Sequence, residues 1–347
     1  MSWMRFLVIC FLTLSTTYVE AFTPKVEKDY RVSEWARVPH PLQMKFSSNT
    51  KSLYVASHAN GGTLFRVHKG KTEPLLTGLN LPSSIELHQG DLYIAQKNEI
   101  SVVKNIDQYL TTKKKPTLQT LKSELPQEFQ NSLKRILIHQ GSLYLSLGAP
   151  CNVCTTQDPM GAIQRMKLNG SDVKIVARGI RVVGVMNVEP KTNNIWFSDF
   201  NREKLGPNLP AAEINILKEN AHYGFPYLHG KEVKDNFYFN QKPQDLKIEL
   251  PHHELPAHSQ PTAMNFGSKK DCLYIVLNGF KHEGIWSEPK VIESCLEKKG
   301  RKDRDILSGF LEINTLKGRP FDMITIGPKE FLVSDEFLGV IWKVEQK

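Results

Sequence analysis

The chain contains 347 residues and carries 45 lysines and arginines against 36 aspartates and glutamates, which gives a formal net charge of +9. Beyond the N-terminus no stretch approaches the roughly 20 apolar residues that a membrane-spanning helix needs, so no transmembrane segment is predicted. The positive charge is spread along the chain, and no basic motif interleaved with aromatic residues accompanies it. We therefore predict no nucleic acid partner, whereas a basic pocket for an anionic small molecule suits the same charge.

The first 21 residues have the pattern of a secretory signal peptide. Arg5 precedes the apolar run 6–14, and the stretch that follows ends at the small residue Ala21. We expect cleavage near Ala21 to leave an exported mature protein, periplasmic or secreted, with one domain over residues 22–347. That length is normal for a single closed all-β repeat array.

An apolar triplet that contains an aromatic or β-branched residue recurs six times, usually after a turn. The triplets are Leu53-Tyr54-Val55, Leu92-Tyr93-Ile94, Leu143-Tyr144-Leu145, Ile195-Trp196-Phe197, Leu273-Tyr274-Ile275 and Phe331-Leu332-Val333. They follow one another at steps of 39 to 78 residues, which suits a propeller blade with insertions and not a helical repeat. The sequence therefore predicts an all-β fold, a six-bladed β-propeller, with its functional residues on loops around an axial channel.

Two further patterns concern the end and the interior of this array. The last strand pattern, 340–344, lies at the C-terminus. We therefore expect a strand near residues 25–38 to complete the last blade and to close the ring without a covalent bond. Helical periodicity is weak except at Leu118, Leu121 and Leu125, where the spacing favours one short helix.

Four cysteines remain after the predicted cleavage, and an exported compartment favours disulfides. The economical pairing joins Cys151 with Cys154 and Cys272 with Cys295, although four cysteines allow three pairings and the sequence alone does not choose. Other roles for Cys151-x-x-Cys154 need features that are absent. Haem attachment needs a following histidine, zinc needs a second ligand pair, and thioredoxin-like chemistry needs a βαβ context.

Several longer motifs occur in order over roughly residues 35–345. They include Gly148-Ala149-Pro150-Cys151-Asn152-Val153-Cys154, Ile195-Trp196-Phe197-Ser198-Asp199, His222-Tyr223-Gly224-Phe225-Pro226, His229-Gly230 and Gly318-Arg319-Pro320. In this order the motifs resemble the soluble glucose/sorbosone dehydrogenase family of six-bladed propellers. The resemblance implies pyrroloquinoline quinone on the channel axis, a calcium ion bound to it, and hydride transfer from a sugar to the quinone.

The resemblance also implies catalytic positions. The family's base is a histidine, and Asn131 stands in its place, next to Gln130 as a cofactor-binding residue. A carboxamide does not accept a proton to a useful extent at neutral pH, so base chemistry would be weakened. Arg181 matches a family arginine whose usual asparagine neighbour is replaced by Val182.

The remaining cofactor positions implied by the resemblance are Arg319, His258 and Lys281. Arginine and lysine suit the quinone because its carboxylates accept charge-assisted hydrogen bonds. Calcium would be bound by the main-chain carbonyls of Asn201 and Arg202. Carbonyl ligands do not depend on side-chain identity, so the altered sequence of this loop is compatible with calcium.

These residues support one main hypothesis and leave two alternatives. The main hypothesis is an exported, quinone-dependent dehydrogenase of a small sugar or aldehyde, of glucose or sorbosone type, with altered base chemistry. The sequence specifies no electron acceptor. The first alternative is a non-catalytic propeller that binds a carbohydrate, an anion or a protein at the channel mouth. The second is a hydrolytic propeller such as a lactonase, which has the same architecture and an axial calcium.

Overall fold

The chain forms six sheets around an axis, in a computed structural model that describes residues 22–112, 114–127, 133–267, 271–297 and 300–347, and the four main strands of each sheet are antiparallel. Each sheet is a blade with four main strands, which follow one another from the inside of the ring outward. Blade 1 contains Pro41–Ser47, Ser52–Ser57, Thr63–His68 and Lys71–Thr77; blade 2 contains Ser84–His88, Asp91–Ala95, Ile100–Val103 and Gln119–Lys122; blade 3 contains Ile136–His139, Ser142–Leu147, Ala162–Lys167 and Lys174–Arg178. Blade 4 contains Val183–Val188, Ile195–Asp199, Ala212–Ile216 and His253–Leu255; blade 5 contains Pro261–Phe266, Cys272–Leu277, Lys290–Glu297 and Gly300–Ser308; blade 6 contains Pro320–Gly327, Glu330–Asp335, Val340–Gln346 and Tyr30–Arg37.

The inner strands contact one another in ring order, from blade 1 through blade 6 and back to blade 1. This closed ring confirms the predicted six-bladed propeller. All six apolar triplets lie in the second strand of a blade. Second strands are covered on both faces, and Ser52–Ser57, for example, is buried along its whole length. Aromatic and β-branched side chains suit such a strand because they pack well on a pleated surface.

The ring closes through the N-terminal strand, as predicted. Tyr30–Arg37 pairs with Val340–Gln346 in antiparallel register and becomes the outer strand of blade 6. Just before it, Lys25–Val26 pairs with Gly300–Ser308 and extends blade 5. The two ends of the described chain are therefore joined by backbone hydrogen bonds.

The prediction of a short helix around Leu118, Leu121 and Leu125 is wrong. The segment Gln119–Lys122 is a strand that pairs with Ile100–Val103. Its backbone groups bond to the edge of blade 2, and this ladder outweighs a weak helical spacing of only three leucines. Leu125 is buried beside the core of blade 3.

The other short elements are not among the four main strands of a blade. Two-stranded ribbons are formed by Leu228–His229 with Val233–Lys234, Lys281–His282 with Ile285–Trp286, and Leu311–Glu312 with Thr315–Leu316. The strand Ala221–His222 runs parallel to Lys174–Arg178 at the edge of blade 3. Turns of 3-10 helix occur at Ala59–Gly61, Ile106–Leu110 and Phe239–Gln241. No helix in the described part of the chain is long and apolar enough to cross a membrane.

Apolar side chains pack between adjacent blades and hold the ring together. Between blades 1 and 2, Tyr54 and Leu64 pack with Ile85 and Leu92, and all four are fully buried. Truncating one such leucine to alanine typically costs about 2–5 kcal/mol. This packing fixes the inner strands and therefore the loops that lead into them.

Both predicted disulfides are confirmed. Cys151 is bonded to Cys154, and Cys272 is bonded to Cys295. Cys272 and Cys295 are direct partners on neighbouring strands of blade 5. The first disulfide closes a tight loop at one end of the channel, and Asn152 inside that loop contacts Arg181.

Candidate ligand-binding site at the channel mouth

The inner strands begin at the same end of the axial channel, which we call the channel mouth. Hydrogen bonds join the starting residues of neighbouring inner strands. The Ser83 hydroxyl donates to the Lys134 carbonyl at 2.9 Å, and the Thr262 hydroxyl donates to the Phe321 carbonyl. Residues just before the inner strands therefore surround the mouth. They include Lys134, Arg135, Arg181, His258, Gln260 and Arg319.

The guanidinium of Arg181 is buried in the mouth and saturated with hydrogen bonds; 5 % of its side chain is exposed. Its Nε donates to the Asn152 carbonyl at 3.0 Å, and its Nη2 donates to the Asn152 side-chain oxygen at 3.1 Å. Its Nη1 donates to the carbonyls of Phe200 at 3.3 Å and Asn201 at 3.0 Å. A carboxylate oxygen of Glu203 lies 3.3 Å from Nη2. Five oxygens thus match the five N–H groups of one arginine.

This arrangement does not fit a calcium ion at the predicted place. The Asn201 carbonyl, a predicted ligand, already accepts a hydrogen bond from the positive Arg181. A divalent ion there would lie beside a buried positive charge and be repelled. The neighbouring Arg202, whose main-chain carbonyl is the second predicted ligand, has its side chain paired with Asp235. Among the residues described, the one cluster of potential metal-ligating side chains contains the two bonded cysteines of blade 5.

Two buried carboxylates bind the loop that contains Arg181 and Asn201. Asp199 accepts a hydrogen bond from the backbone N–H of Arg181 at 3.0 Å. Glu213 accepts hydrogen bonds from the Asn201 side chain and the Gly230 backbone, both at 2.7 Å. Burial raises the pKa of Asp199 and of Glu213. These acids position the loop and its backbone oxygens.

Arg319 is also bonded within the protein. Its Nε donates to the Asn278 carbonyl at 3.3 Å and its Nη2 donates to the Gly279 carbonyl at 3.1 Å. Its Nη1 lies 3.2 Å from a carboxylate oxygen of Glu336. Lys281 is exposed on the ribbon that follows Gly279. The two predicted carboxylate-binding cations therefore do not present a shared set of free donors.

The remaining predicted residues meet at one small hollow. It is lined by Arg181, Asn201, Arg202 and His258, together with Gln260 and Phe280. The Nε2 atom of His258 is 2.9 Å from the Gly206 carbonyl, and its ring stacks on His282 with 4.1 Å between ring centroids. The cavity volume is about 20 Å³, which is room for a single water. A small-molecule site usually measures about 300–1,000 Å³, so this hollow, as the described residues form it, is too small for the tricarboxylate quinone.

Gln130 and Asn131 lie outside the described residues, so their predicted roles stay predictions. The described chain resumes at Leu133 and enters blade 3 through Lys134 and Arg135. These two residues stand directly before an inner strand, as Arg319 does in blade 6. That shared position is the signal in the sequence that could have identified them.

Lys134 and Arg135 are the functional candidates that the sequence analysis missed. Arg135 is 1 % exposed; its Nη1 donates to the Ser83 carbonyl at 2.6 Å, and its Cζ lies 5.1 Å from the centroid of the Phe321 ring. Its Nε and Nη2 have no hydrogen-bond partner within the described structure. Burial, and then the charge of Lys97, lower the pKa of the buried Lys134 to about 8. The mouth therefore contains buried positive charge with unused donors.

Comparison of the sequence with known proteins finds a relative but no family. No protein-family model matches the sequence. A protein of Borreliella burgdorferi described as uncharacterised is 28 % identical in an alignment of length 346 that covers 90 % of this chain and 91 % of that one.

Solved structures resemble the chain over nearly its whole length. The holo form of the pyranose dehydrogenase PQQ domain from Coprinopsis cinerea has a TM-score of 0.74 at 15 % identity and covers 93 % of this chain and 97 % of its own. The calcium structure of a Trichoderma reesei family AA12 protein has a TM-score of 0.74 at 14 % identity, with the same coverage. The apo soluble aldose sugar dehydrogenase of Escherichia coli has a TM-score of 0.64 at 17 % identity and covers 92 % and 100 %. The chain is thus a six-bladed propeller with the fold found in soluble sugar dehydrogenases.

Proposed function

We propose that the chain is a non-catalytic six-bladed propeller that binds a ligand at its channel mouth and uses neither calcium nor pyrroloquinoline quinone. The observation that carries the proposal is the saturation of Arg181 by five oxygens. The guanidinium supplies the positive charge that a bound metal ion would bring to these carbonyls. Because all of its donors are used, it has none left for a quinone or a substrate.

The energetics favour leaving this arrangement intact. If Arg181 turned its donors to a ligand, the carbonyls of Phe200 and Asn201 would lose their hydrogen-bond donor. The partly buried carboxylate of Glu203 would lose its ion pair. Each buried group left without a partner costs about 1–3 kcal/mol. The binding free energy of a cofactor would have to offset this loss, and the hollow of about 20 Å³ would also have to become larger.

The second candidate function is quinone-dependent oxidation of a small sugar or aldehyde. The likeness to a PQQ domain and to an aldose sugar dehydrogenase favours it. Its predicted base, Asn131, is a carboxamide and is poorly suited to take a proton from a hydroxyl. The occupied donors of Arg181 and Arg319 weigh against it.

We also propose that residues 1–21 are removed during export and that residues 22–347 are one domain. The assignment of Lys25–Val26 and Tyr30–Arg37 to blades 5 and 6 supports a domain that begins close to Phe22. N-terminal sequencing of the protein purified from its host tests the cleavage site. A mature chain that still begins at Met1 would contradict this proposal.

A cofactor-binding experiment tests the function. Mature protein is melted with calcium alone, with quinone alone and with both, because a ligand that binds only the native state at about 100 times its Kd stabilises it by about 2.7 kcal/mol. We expect no rise in Tm, no sugar-dependent dye reduction and no lactone hydrolysis in the presence of calcium. The E. coli aldose sugar dehydrogenase is the positive control for the assay. A rise in Tm with both cofactors, together with sugar-dependent dye reduction, would establish the second candidate instead.

A further inference from the structure

Arg135 crosses the channel from blade 3 toward blade 6. It directly precedes the inner strand Ile136–His139, and its Cζ lies 5.1 Å from the ring centroid of Phe321, which belongs to the inner strand of blade 6. In a ring of six, blades 3 and 6 face each other across the axis. The guanidinium is therefore inside the axial channel and not on the protein surface, in keeping with its 1 % exposure.

The hydrogen bonds of Arg135 leave one edge of the guanidinium unused. Its Nη1 donates to the Ser83 carbonyl at 2.6 Å, whereas Nε and Nη2 find no acceptor among the residues that the structure describes. A buried charged donor without a partner is costly and is rare in native proteins. Arg181 at the same mouth has all its donors matched, so of these two buried arginines it is Arg135 that has donors to offer.

The unused edge has a defined chemistry. Nε–H and Nη2–H of a guanidinium are the two parallel donors that bind both oxygens of a carboxylate or phosphate. The chain itself contains an example: Arg178 donates through Nε to Asp158 Oδ1 at 3.0 Å and through Nη2 to Asp158 Oδ2 at 2.8 Å. The edge that binds a carboxylate in Arg178 meets no acceptor from the described residues in Arg135.

Two carboxylates lie near Arg135, but neither occupies its free edge. Its acidic neighbours are engaged elsewhere: Asp322 accepts a hydrogen bond from the Met44 backbone at 2.6 Å, and Glu336 is bonded to Asn278 and paired with Arg319. His58 lies near Arg135, and burial and then the charge of Arg135 lower its pKa, so its imidazole is neutral at neutral pH and adds no positive charge. The adjoining Lys134 is buried too.

We propose that the axial channel binds a small oxyanion, a carboxylate or phosphate group, in bidentate fashion on the Nε and Nη2 edge of Arg135. This inference rests on the proposed function, since it names the ligand class for the same channel mouth. The pKa of Arg135 is lowered by burial to about 10, so the side chain stays positively charged at neutral pH. Because Arg135 Nε and Nη2 have almost no accessible surface, the ligand is either a small anion or the anionic head of a larger molecule, and neighbouring side chains must move to admit it.

Calorimetric titration of the mature protein with acetate, inorganic phosphate and acetamide tests the proposal. Acetamide has the shape of acetate without its charge, so we expect one acetate or phosphate to bind and acetamide not to bind. The acetate and phosphate arms show which oxyanion the site prefers. Absence of binding by both anions, or equal binding of acetamide, would overturn the proposal.

Variants locate the site. Arg135→Lys keeps the charge but removes the bidentate edge, and we expect Kd to rise about tenfold to a hundredfold. The matched control is Arg66→Lys, because Arg66 is also buried but binds Glu73 in blade 1, away from the mouth. Equal loss of affinity in both variants would contradict a specific site.

The wild-type protein provides a test that does not depend on a folded variant. A bromide-soaked crystal should give an anomalous peak within hydrogen-bonding distance of Arg135 Nε and Nη2. Peaks only elsewhere would overturn the assignment. The two proposals fail in different ways. If the proposed function is wrong, the protein binds calcium and quinone. If the oxyanion site at Arg135 is wrong, the protein binds neither acetate nor phosphate.

Discussion

The Arg181→Ala variant probes the arrangement at the channel mouth most informatively. It removes five interactions at once and leaves the carbonyls of Asn152, Phe200 and Asn201 without their donor. Removing one partner of a buried, hydrogen-bonded charge pair typically costs about 3–5 kcal/mol. At roughly 2–4 °C per kcal/mol for domains of 150–250 residues, a drop in Tm of about 6–20 °C is expected, toward the lower end because this chain is longer.

The same variant should gain a response to calcium. The oxygens that it frees are carbonyl, carboxamide and carboxylate oxygens, which are the ligands that calcium prefers. Thermal and urea unfolding of wild type, Arg181→Ala and Arg181→Lys are compared with and without calcium. We expect calcium to raise the Tm of the alanine variant alone, since the lysine variant retains the charge. A calcium response in the wild type, or an alanine variant of unchanged stability, would refute the reasoning.

Three further predictions concern neighbouring residues. Gly179→Ala should lose about 2–5 kcal/mol in urea unfolding, because Gly179 has φ +69° and a Cβ there would lie 2.2 Å from the His222 ring; wild-type stability would contradict this. Burial lowers the pKa of His222 to about 4, so the free energy of unfolding should fall as the pH drops from about 6.5 toward 4. The His222→Phe variant should lose less stability over this range. Identical pH profiles of the two proteins would show that His222 is not responsible. Asn131→His should not create sugar-dependent dye reduction; measurable turnover would revive the dehydrogenase hypothesis.

The fold was predictable because its signals are local. Each blade contains a second strand that is buried on both faces, so an apolar triplet marks every blade in the sequence. The closing strand followed from the position of the last strand pattern at the C-terminus. The helix prediction at Leu118, Leu121 and Leu125 failed because the pairing of Gln119–Lys122 with blade 2 is a tertiary effect that local spacing does not contain.

Some of the predicted site residues do lie together, but their contacts could not be predicted. Residues carried over from the family, such as Arg181 and His258, do meet at one hollow. The hydrogen-bond partners of Arg181 are 19 to 29 residues away in the chain, and no sequence motif indicates that they accept hydrogen bonds from all of its N–H groups. Arg135 was overlooked because only the structure reveals that its Nε and Nη2 have no acceptor among the described residues.

The metal and quinone content of the protein tests the central claim most directly. Mature wild-type protein is incubated with calcium and pyrroloquinoline quinone, freed of unbound ligand by gel filtration, and examined by mass spectrometry for calcium and by absorbance for the quinone. Because Arg181 supplies the positive charge of this loop, we predict that neither is retained. Retention of one calcium and one quinone per chain would contradict the account.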